Sequence, residues 1–110
     1  MQNVITREYI THLLRTNDKA VGRALVALNK RQTQDEQVSE QTRHLNLRGF
    51  MPMHAKKGTG MAQFFARTGF LTPKQVAYWR HITPSGKARI EKYVGQLLKV
   101  AEEAGHRVAA

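Results

Sequence analysis

Cationic side chains are the residues of this sequence whose number and spacing point most directly to chemistry. Residues 43–110 hold twelve Lys and Arg against three acidic residues, a net charge of +9 out of the +10 of the whole chain. Between Arg43 and Lys99, Glu91 is the single carboxylate. A domain that needs charge only for solubility mixes the two signs, whereas a one-sided excess attracts a polyanion at long range. The charge distribution therefore predicts a nucleic-acid partner that is bound mainly through phosphate contacts.

One aromatic residue is expected among these cations on the surface. Trp79 falls on an apolar helical stripe and is expected in the core, whereas Tyr78 lies off that stripe, where its ring could stack on an unpaired base. The predicted nucleic-acid-binding residues are Lys56, Lys57, Lys74, Tyr78, Arg80, Lys87, Arg89 and Lys92. No sequence-reading motif accompanies them, so low sequence specificity is expected, with DNA and RNA both open.

Lys56 and Lys57 stand beside a glycine-rich segment at 58–60. We expect residues 45–58 to form a central loop and Thr59 to cap a short helix that starts at Gly60. Free backbone amides at a helix N-terminus attract anions, so this segment is a candidate phosphate-backbone contact. Its spacing differs from that of a P-loop, which argues against a nucleotide site.

A strongly polar segment precedes this loop. Its candidate residues are Gln32, Gln37, Gln41, His44 and Asn46. They could form a hydrogen-bonded network that fixes the central loop, or they could form a contact surface. We favour the network, because buried polar groups must be satisfied among themselves.

Residues suited to catalysis are sparse. There is no cysteine nucleophile, and neither Ser39 nor Ser85 follows a strand in the way a hydrolase serine does. The five histidines form no short-range metal motif. We therefore predict no catalytic residue, no cofactor and no metal site, and we do not expect an enzyme. A metal-dependent nuclease centred on Asp35, His44 and Asn46 is the enzymatic alternative.

The hydrophobic pattern predicts an all-α fold of five or six short helices and a long C-terminal helix, in a single domain over residues 1–110. The expected helices are 4–15, one from Asn17 or Asp18 through Leu28, 34–44 after a capping box of Thr33 and Glu36, 60–68, one after Thr72-Pro73, and 85–104 after Thr83-Pro84.

The sequence contains nothing that resembles a membrane span or an export signal. The longest unbroken apolar run, from Ala24 to Leu28, is far shorter than the roughly 20 residues that cross a bilayer. Without cysteine there is no disulfide. We therefore expect a soluble protein of a reducing compartment, with no membrane partner.

Four short motifs spread over residues 23–98 form a recognisable set. They are Gln32, Thr33, Asp35, Glu36 and Gln37; Thr42, His44, Asn46, Gly49 and Phe50; Leu71, Thr72, Lys74 and Gln75; and Lys92, Tyr93, Gln96 and Leu97. Together they resemble a group of small bacteriophage proteins of unassigned function. The resemblance implies a phage origin and a location in the host cytoplasm, and it implies no activity. A phage effector that binds an acidic host protein or ribonucleoprotein is the second functional hypothesis, because charge complementarity would steer that encounter equally well.

Overall fold

A computed structural model describes residues 4–38 and 49–108 of the chain, and for residues 32–38 and Pro52 it describes the backbone alone. In chain order the elements are β1 (Val4–Ile5), α1 (Arg7–Thr16), α2 (Asp18–Val38), α3 (Pro52–Thr68), α4 (Pro73–Arg80), a 3₁₀ helix (Arg89–Tyr93), α5 (Val94–Glu103) and β2 (Arg107–Val108). The predicted all-α class is confirmed. So is the long C-terminal helix, which the 3₁₀ helix and α5 form together over about 15 residues.

Local sequence explains where α3 ends and α4 begins. Gly69 adopts a left-handed conformation at φ 82°, which ends α3 at Thr68, the end predicted for the 60–68 helix. Thr72 Oγ1 accepts from the backbone N–H of Gln75 at 3.2 Å, and Gln75 Oε1 accepts from the N–H of Thr72 at 2.9 Å. Pro73 takes the first helical position, where its missing N–H has no helical partner to lose. The predicted start at Thr72-Pro73 is confirmed.

Two glycines in helices make room for aromatic rings. A Cβ on Gly22 of α2 would lie 2.7 Å from Cγ of Phe65 in α3, and a Cβ on Gly58 would lie 2.5 Å from Cε1 of Phe50. A side chain at either position would displace the ring.

The core beside these contacts includes the predicted core residue Trp79. The largest fully buried side chains are Trp79, Tyr93, Leu25, Leu28, Ile90 and Val21.

The start of the C-terminal helix differs from the prediction. Thr83 donates its backbone N–H to the Lys87 carbonyl oxygen at 2.9 Å, and Gly86, at φ 87°, donates to the Thr83 carbonyl oxygen at 2.8 Å. These bonds close a tight turn, so Thr83-Pro84 does not begin a helix. Helical structure starts at Arg89 rather than at residue 85, and its first five residues are 3₁₀.

Two predicted boundaries in the middle of the chain are also wrong. Helix α2 passes through Thr33 without a break, so Thr33 and Glu36 do not cap a separate helix. Helix α3 begins at Pro52, where proline suits the first turn, so residues 52–58 are helical and Thr59 lies inside the helix. Of the predicted 45–58 loop, residues 49–51 are non-helical as expected. Residues 39–48, which hold the remainder of that loop and of the predicted 34–44 helix, lie outside the described residues.

The two ends of the described chain pair as a small parallel sheet. Val4 pairs with Arg107 and Ile5 with Val108. The first helix therefore begins at Arg7 rather than at residue 4. Strands of two residues are too short to produce an alternating pattern, which is why the sequence does not predict them.

Candidate functional site

The Tyr78 ring is in contact with cations from two other elements. The Lys57 Nζ atom of α3 is 4.7 Å from the centroid of the Tyr78 ring, and Arg89 Cζ of the 3₁₀ helix is 4.1 Å from it. Arg89 also donates from Nη1 to the Tyr78 carbonyl oxygen at 2.9 Å. Cation–π contacts at exposed sites are each worth about 0.5–1 kcal/mol. These contacts therefore hold Lys57 and Arg89 against Tyr78, and all three are predicted binding residues.

Two further predicted residues share this surface through helical periodicity. Lys74 precedes Tyr78 by four residues in α4, which places both on one face of that helix. Lys92 follows Arg89 by three residues in the 3₁₀ helix, where residues three apart eclipse. Lys57, Lys74 and Lys92 are exposed. We call the set Lys57, Lys74, Tyr78, Arg89 and Lys92 the Tyr78 patch.

Glu91, the carboxylate nearest in sequence to the patch, has its side-chain partners outside the patch. Its Oε1 atom is 2.8 Å from Nη2 of Arg15 in α1, and its Oε2 accepts from the backbone N–H of Ala88 at 2.9 Å. Its side chain is only 6% exposed. Because one oxygen pairs with Arg15 and the other caps the backbone of the 3₁₀ helix, Glu91 forms no ion pair with Arg89 or Lys92 among the described residues.

Other described carboxylates are also paired elsewhere. Their ion pairs are Asp18 with Arg80 at 2.8 Å, Glu103 with Arg31 at 3.0 Å, and Glu102 with Lys99 at 3.8 Å. In the described part of the chain no carboxylate forms an ion pair with a cation of the Tyr78 patch. The patch therefore combines four cations without a bound counter-charge from those residues.

His54 lies beneath the patch and is 4% exposed. The centroid of its ring is 5.4 Å from that of Trp79, 5.8 Å from that of Tyr93 and 6.5 Å from that of Tyr78. Burial lowers the pKa of His54 below its ordinary value, and the charges of Lys92 and Arg89 lower it further. His54 is consequently neutral at pH 7.

The hydrogen bonds around Tyr93 assign the tautomer of His54. Tyr93 Oη accepts from the backbone N–H of Met51 at 3.1 Å and lies 2.5 Å from His54 Nδ1. Burial raises the pKa of Tyr93, which keeps its hydroxyl protonated. Donation to Nδ1 gives the hydroxyl proton an acceptor among the described residues, whereas the other tautomer would leave that proton without one. On this ground we assign the imidazole proton to Nε2. Nothing in the described residues hydrogen-bonds to Nε2.

Three predicted binding residues lie outside the patch. Arg80 turns toward the joint of α1 and α2, where its Nε donates to the Leu14 carbonyl oxygen at 2.8 Å. Lys87 lines a polar cavity of about 400 Å³ with Arg7 and Arg15. Lys56 is exposed on α3 beside Lys57, and because it lies inside that helix it does not flank a helix N-terminus as the sequence predicts.

The predicted polar network falls on residues without described side chains. Gln32 and Gln37 lie in α2, where only the backbone is described, and Gln41, His44 and Asn46 lie outside the described residues. The structure instead shows a network at Gln96, whose Oε1 accepts from the Gly49 N–H at 2.7 Å and whose Nε2 donates to the Gly49 carbonyl oxygen at 2.9 Å. Arg31 Nε also donates to Gln96 Oε1, at 3.3 Å.

Sequence reasoning missed His54 and Gln96 as organising residues. Gln96 follows the same face of the last helix as Arg89 and Lys92, so helical periodicity predicts that it faces solvent. The sequence offers one signal, since Tyr93 and Gln96 occur in one motif and Gly49 in another, and the structure brings these two motifs into contact.

An apolar groove lies on another part of the surface. It has a volume of about 290 Å³, lies between α1, α2 and α5, and is lined by Ile5, Tyr9, Leu13, Ala24, Leu97 and Ala101 among others. Within residues 4–38 and 49–108, no three side chains of the metal-binding types come together, and no helix is both long and apolar enough to cross a membrane. Asp35, His44 and Asn46, the alternative nuclease residues, have no described side chains.

Comparison of the chain with protein-family models, with curated proteins and with solved structures gives no match.

Proposed function

We propose that this protein binds nucleic acid, mainly through phosphate contacts at the Tyr78 patch. The observation that carries the proposal is the convergence of Lys57 and Arg89 on the Tyr78 ring, while the buried carboxylate of Glu91 pairs with Arg15 instead. Cations already held in position lose less conformational freedom when they bind a phosphate. The patch is therefore suited to a chain of phosphates.

The same geometry favours low sequence specificity. Tyr78 has at least one face covered by cations, so its first role is to hold them, and base stacking on that face requires their displacement. Lysine and arginine contacts to phosphates position a nucleic acid without reading bases. Single-stranded or structured nucleic acid is the expected ligand, because it offers unpaired bases to an aromatic ring that lies among cations.

The proposed biological setting follows from the sequence resemblance. In this proposal the protein is a small basic accessory protein of a bacteriophage that acts in the host cytoplasm. An acidic host protein or ribonucleoprotein would be attracted by the same charges. Pull-down from bacterial lysate with and without nuclease separates the two ligands, since partners that survive nuclease treatment contradict nucleic acid as the primary ligand.

A salt titration with two matched triple variants tests the patch. The first replaces Lys57, Arg89 and Lys92 by Gln, and the second replaces Lys19, Lys30 and Lys99 by Gln, so each lowers the net charge by the same amount. Binding of a fluorescent single-stranded oligonucleotide is measured from about 50 to 200 mM salt. Loss of three phosphate contacts should flatten the slope of log K against log salt by about 2 in the first variant.

The second variant should keep a slope close to that of the wild type. Equal slopes for the two variants would mean that net charge, and not the Tyr78 patch, drives binding. An affinity of the wild type that does not change with salt would contradict phosphate contacts altogether. Thermal unfolding of each variant shows that the comparison is made between folded proteins.

A further inference from the structure

His54 combines two properties that its surroundings do not explain. It is almost completely buried, yet Nε2 has no hydrogen-bond partner among the described residues. In this part of the chain the fully buried side-chain atom without a partner is Arg80 Nη2. His54 Nε2 has no partner either but is not fully buried, so the small exposed area of His54 includes this nitrogen. A donor that reaches the surface and has no protein partner is open to a ligand, whose oxygen would replace water there.

The His54 ring lies next to the residues that hold the cations of the patch. His54 and Lys57 are three residues apart in α3 and so share a face of that helix. The His54 ring packs edge-on against Tyr78, and both Lys57 and Arg89 lie on the Tyr78 ring. A neutral N–H and two positive charges are thereby gathered around one aromatic ring.

We propose that His54, Lys57 and Arg89 form a binding site for one phosphate group, with His54 Nε2–H as its fixed, uncharged donor. Two cations neutralise the phosphate, and a directed N–H fixes one of its oxygens. Tyr93 holds the donor in place, because its hydroxyl engages Nδ1 and leaves the proton on Nε2. This site deepens the proposed function, because it names the chemical group that the patch binds. It rests on the proposed function only in taking that phosphate to belong to a nucleic acid.

Two substitutions at His54 distinguish the roles of the two ring nitrogens. His54→Asn keeps a polar atom near Nδ1, where it can still meet Tyr93, and removes the donor at Nε2. His54→Gln places an amide near Nε2 and gives up the bond to Tyr93. A hydrogen bond to a charged group corresponds to a change in affinity of about ten-fold or more. We therefore expect His54→Asn to bind inorganic phosphate at least about ten-fold more weakly, and His54→Gln to retain part of the affinity.

The probe is inorganic phosphate, followed through the imidazole ¹⁵N resonances of the full-length protein. Added phosphate should shift the His54 Nε2 resonance while Nδ1 remains an acceptor. His12→Asn is the matched control, since His12 is an exposed histidine of α1 outside the patch, and it should bind phosphate like the wild type. If phosphate leaves the His54 resonances unchanged, or if His54→Asn binds it as tightly as the wild type does, the site does not exist. The wild-type resonances decide the matter even if His54→Asn does not fold.

A second arm identifies the source of the phosphate. A short oligothymidylate without terminal phosphate supplies phosphodiesters alone. If the oligothymidylate shifts the same resonance, the site binds phosphodiesters of the nucleic-acid backbone. If only inorganic phosphate shifts it, the site binds a free or terminal phosphate. Both results support the site. If neither inorganic phosphate nor the oligothymidylate shifts the His54 resonances, while His54→Asn binds the oligonucleotide with wild-type affinity, the site is overturned but the proposed function stands.

Discussion

The ring of Phe65 occupies the space that a side chain on Gly22 would need. A Cβ at Gly22 would overlap Cδ2 and Cε2 of that ring and would lie 2.7 Å from its Cγ. We expect Gly22→Ala to lower the free energy of unfolding by about 1–3 kcal/mol, because overpacking outweighs the better helix propensity of alanine. Denaturant unfolding measures the change.

Gly60→Ala is the matched control for this substitution. Gly60 lies in α3, and a Cβ there would have no neighbouring atom within 4 Å, so alanine should raise stability by about 0.5–1 kcal/mol. Phe65→Ala should make Gly22→Ala much less harmful in the double variant. Additive effects of the two substitutions would contradict the close packing of α2 on α3.

The prediction of α4 from sequence succeeded because its start signal is local. Thr72, Pro73 and Gln75 contain the whole capping device, and no distant residue is needed to complete it. The start of α3 at Pro52 was missed for the opposite reason. The segment carries glycines that weaken a helix by themselves, and it is helical where Gly58 packs on Phe50, a tertiary contact that the pattern does not reveal.

Removal of the Thr72 hydroxyl should weaken α4. Thr72→Ala leaves the Gln75 N–H without its cap, and we expect a loss of about 1 kcal/mol in the free energy of unfolding. Thr72→Ser keeps the hydroxyl and should remain within about 0.5 kcal/mol of the wild type. Chemical denaturation compares the two. Equal losses in both variants would show that the methyl group, and not the cap, is important.

Arg80 should prove to be a structural residue rather than a binding one. Its Nε donates to the Leu14 carbonyl oxygen at the end of α1, and its Nη1 pairs with Asp18 at the start of α2. We expect Arg80→Ala to lower the free energy of unfolding by about 1–2 kcal/mol and to leave the salt slope of oligonucleotide binding unchanged.

Asp18→Asn serves as the mild control for Arg80. Asp18 is 66% exposed, so its ion pair should contribute little, less than about 1 kcal/mol. An Arg80→Ala variant that unfolds like the wild type but has a flatter salt slope would return Arg80 to the phosphate-binding set.

The charged residues of the site were easier to predict than their arrangement. Charge counting finds Lys57, Arg89 and Lys92, because each is an exposed or half-exposed cation in a stretch nearly free of acid. It cannot tell that Glu91 pairs with Arg15 of α1 rather than with Arg89 or Lys92, since that choice depends on how α1 packs against the 3₁₀ helix. Nor can it place His54, which meets Tyr93 only through the packing of α3 on the C-terminal helix.

The buried imidazole of His54 should make stability fall below neutral pH. Its pKa in the folded protein is lower than the 6.5 of the free side chain, so the unfolded chain takes up a proton first as the pH falls through 6.5. The contribution of His54 to the free energy of unfolding is fully present above pH 6.5. It is lost as the pH falls from 6.5 to the lower pKa of the folded protein, with a slope of at most about 1.4 kcal/mol per pH unit. In His54→Asn this part of the pH dependence should disappear, whereas His12→Asn should retain it. Denaturant unfolding from neutral to mildly acidic pH measures all three proteins, and a His54→Asn profile that runs parallel to the wild-type profile would show that the imidazole is not held neutral by the fold.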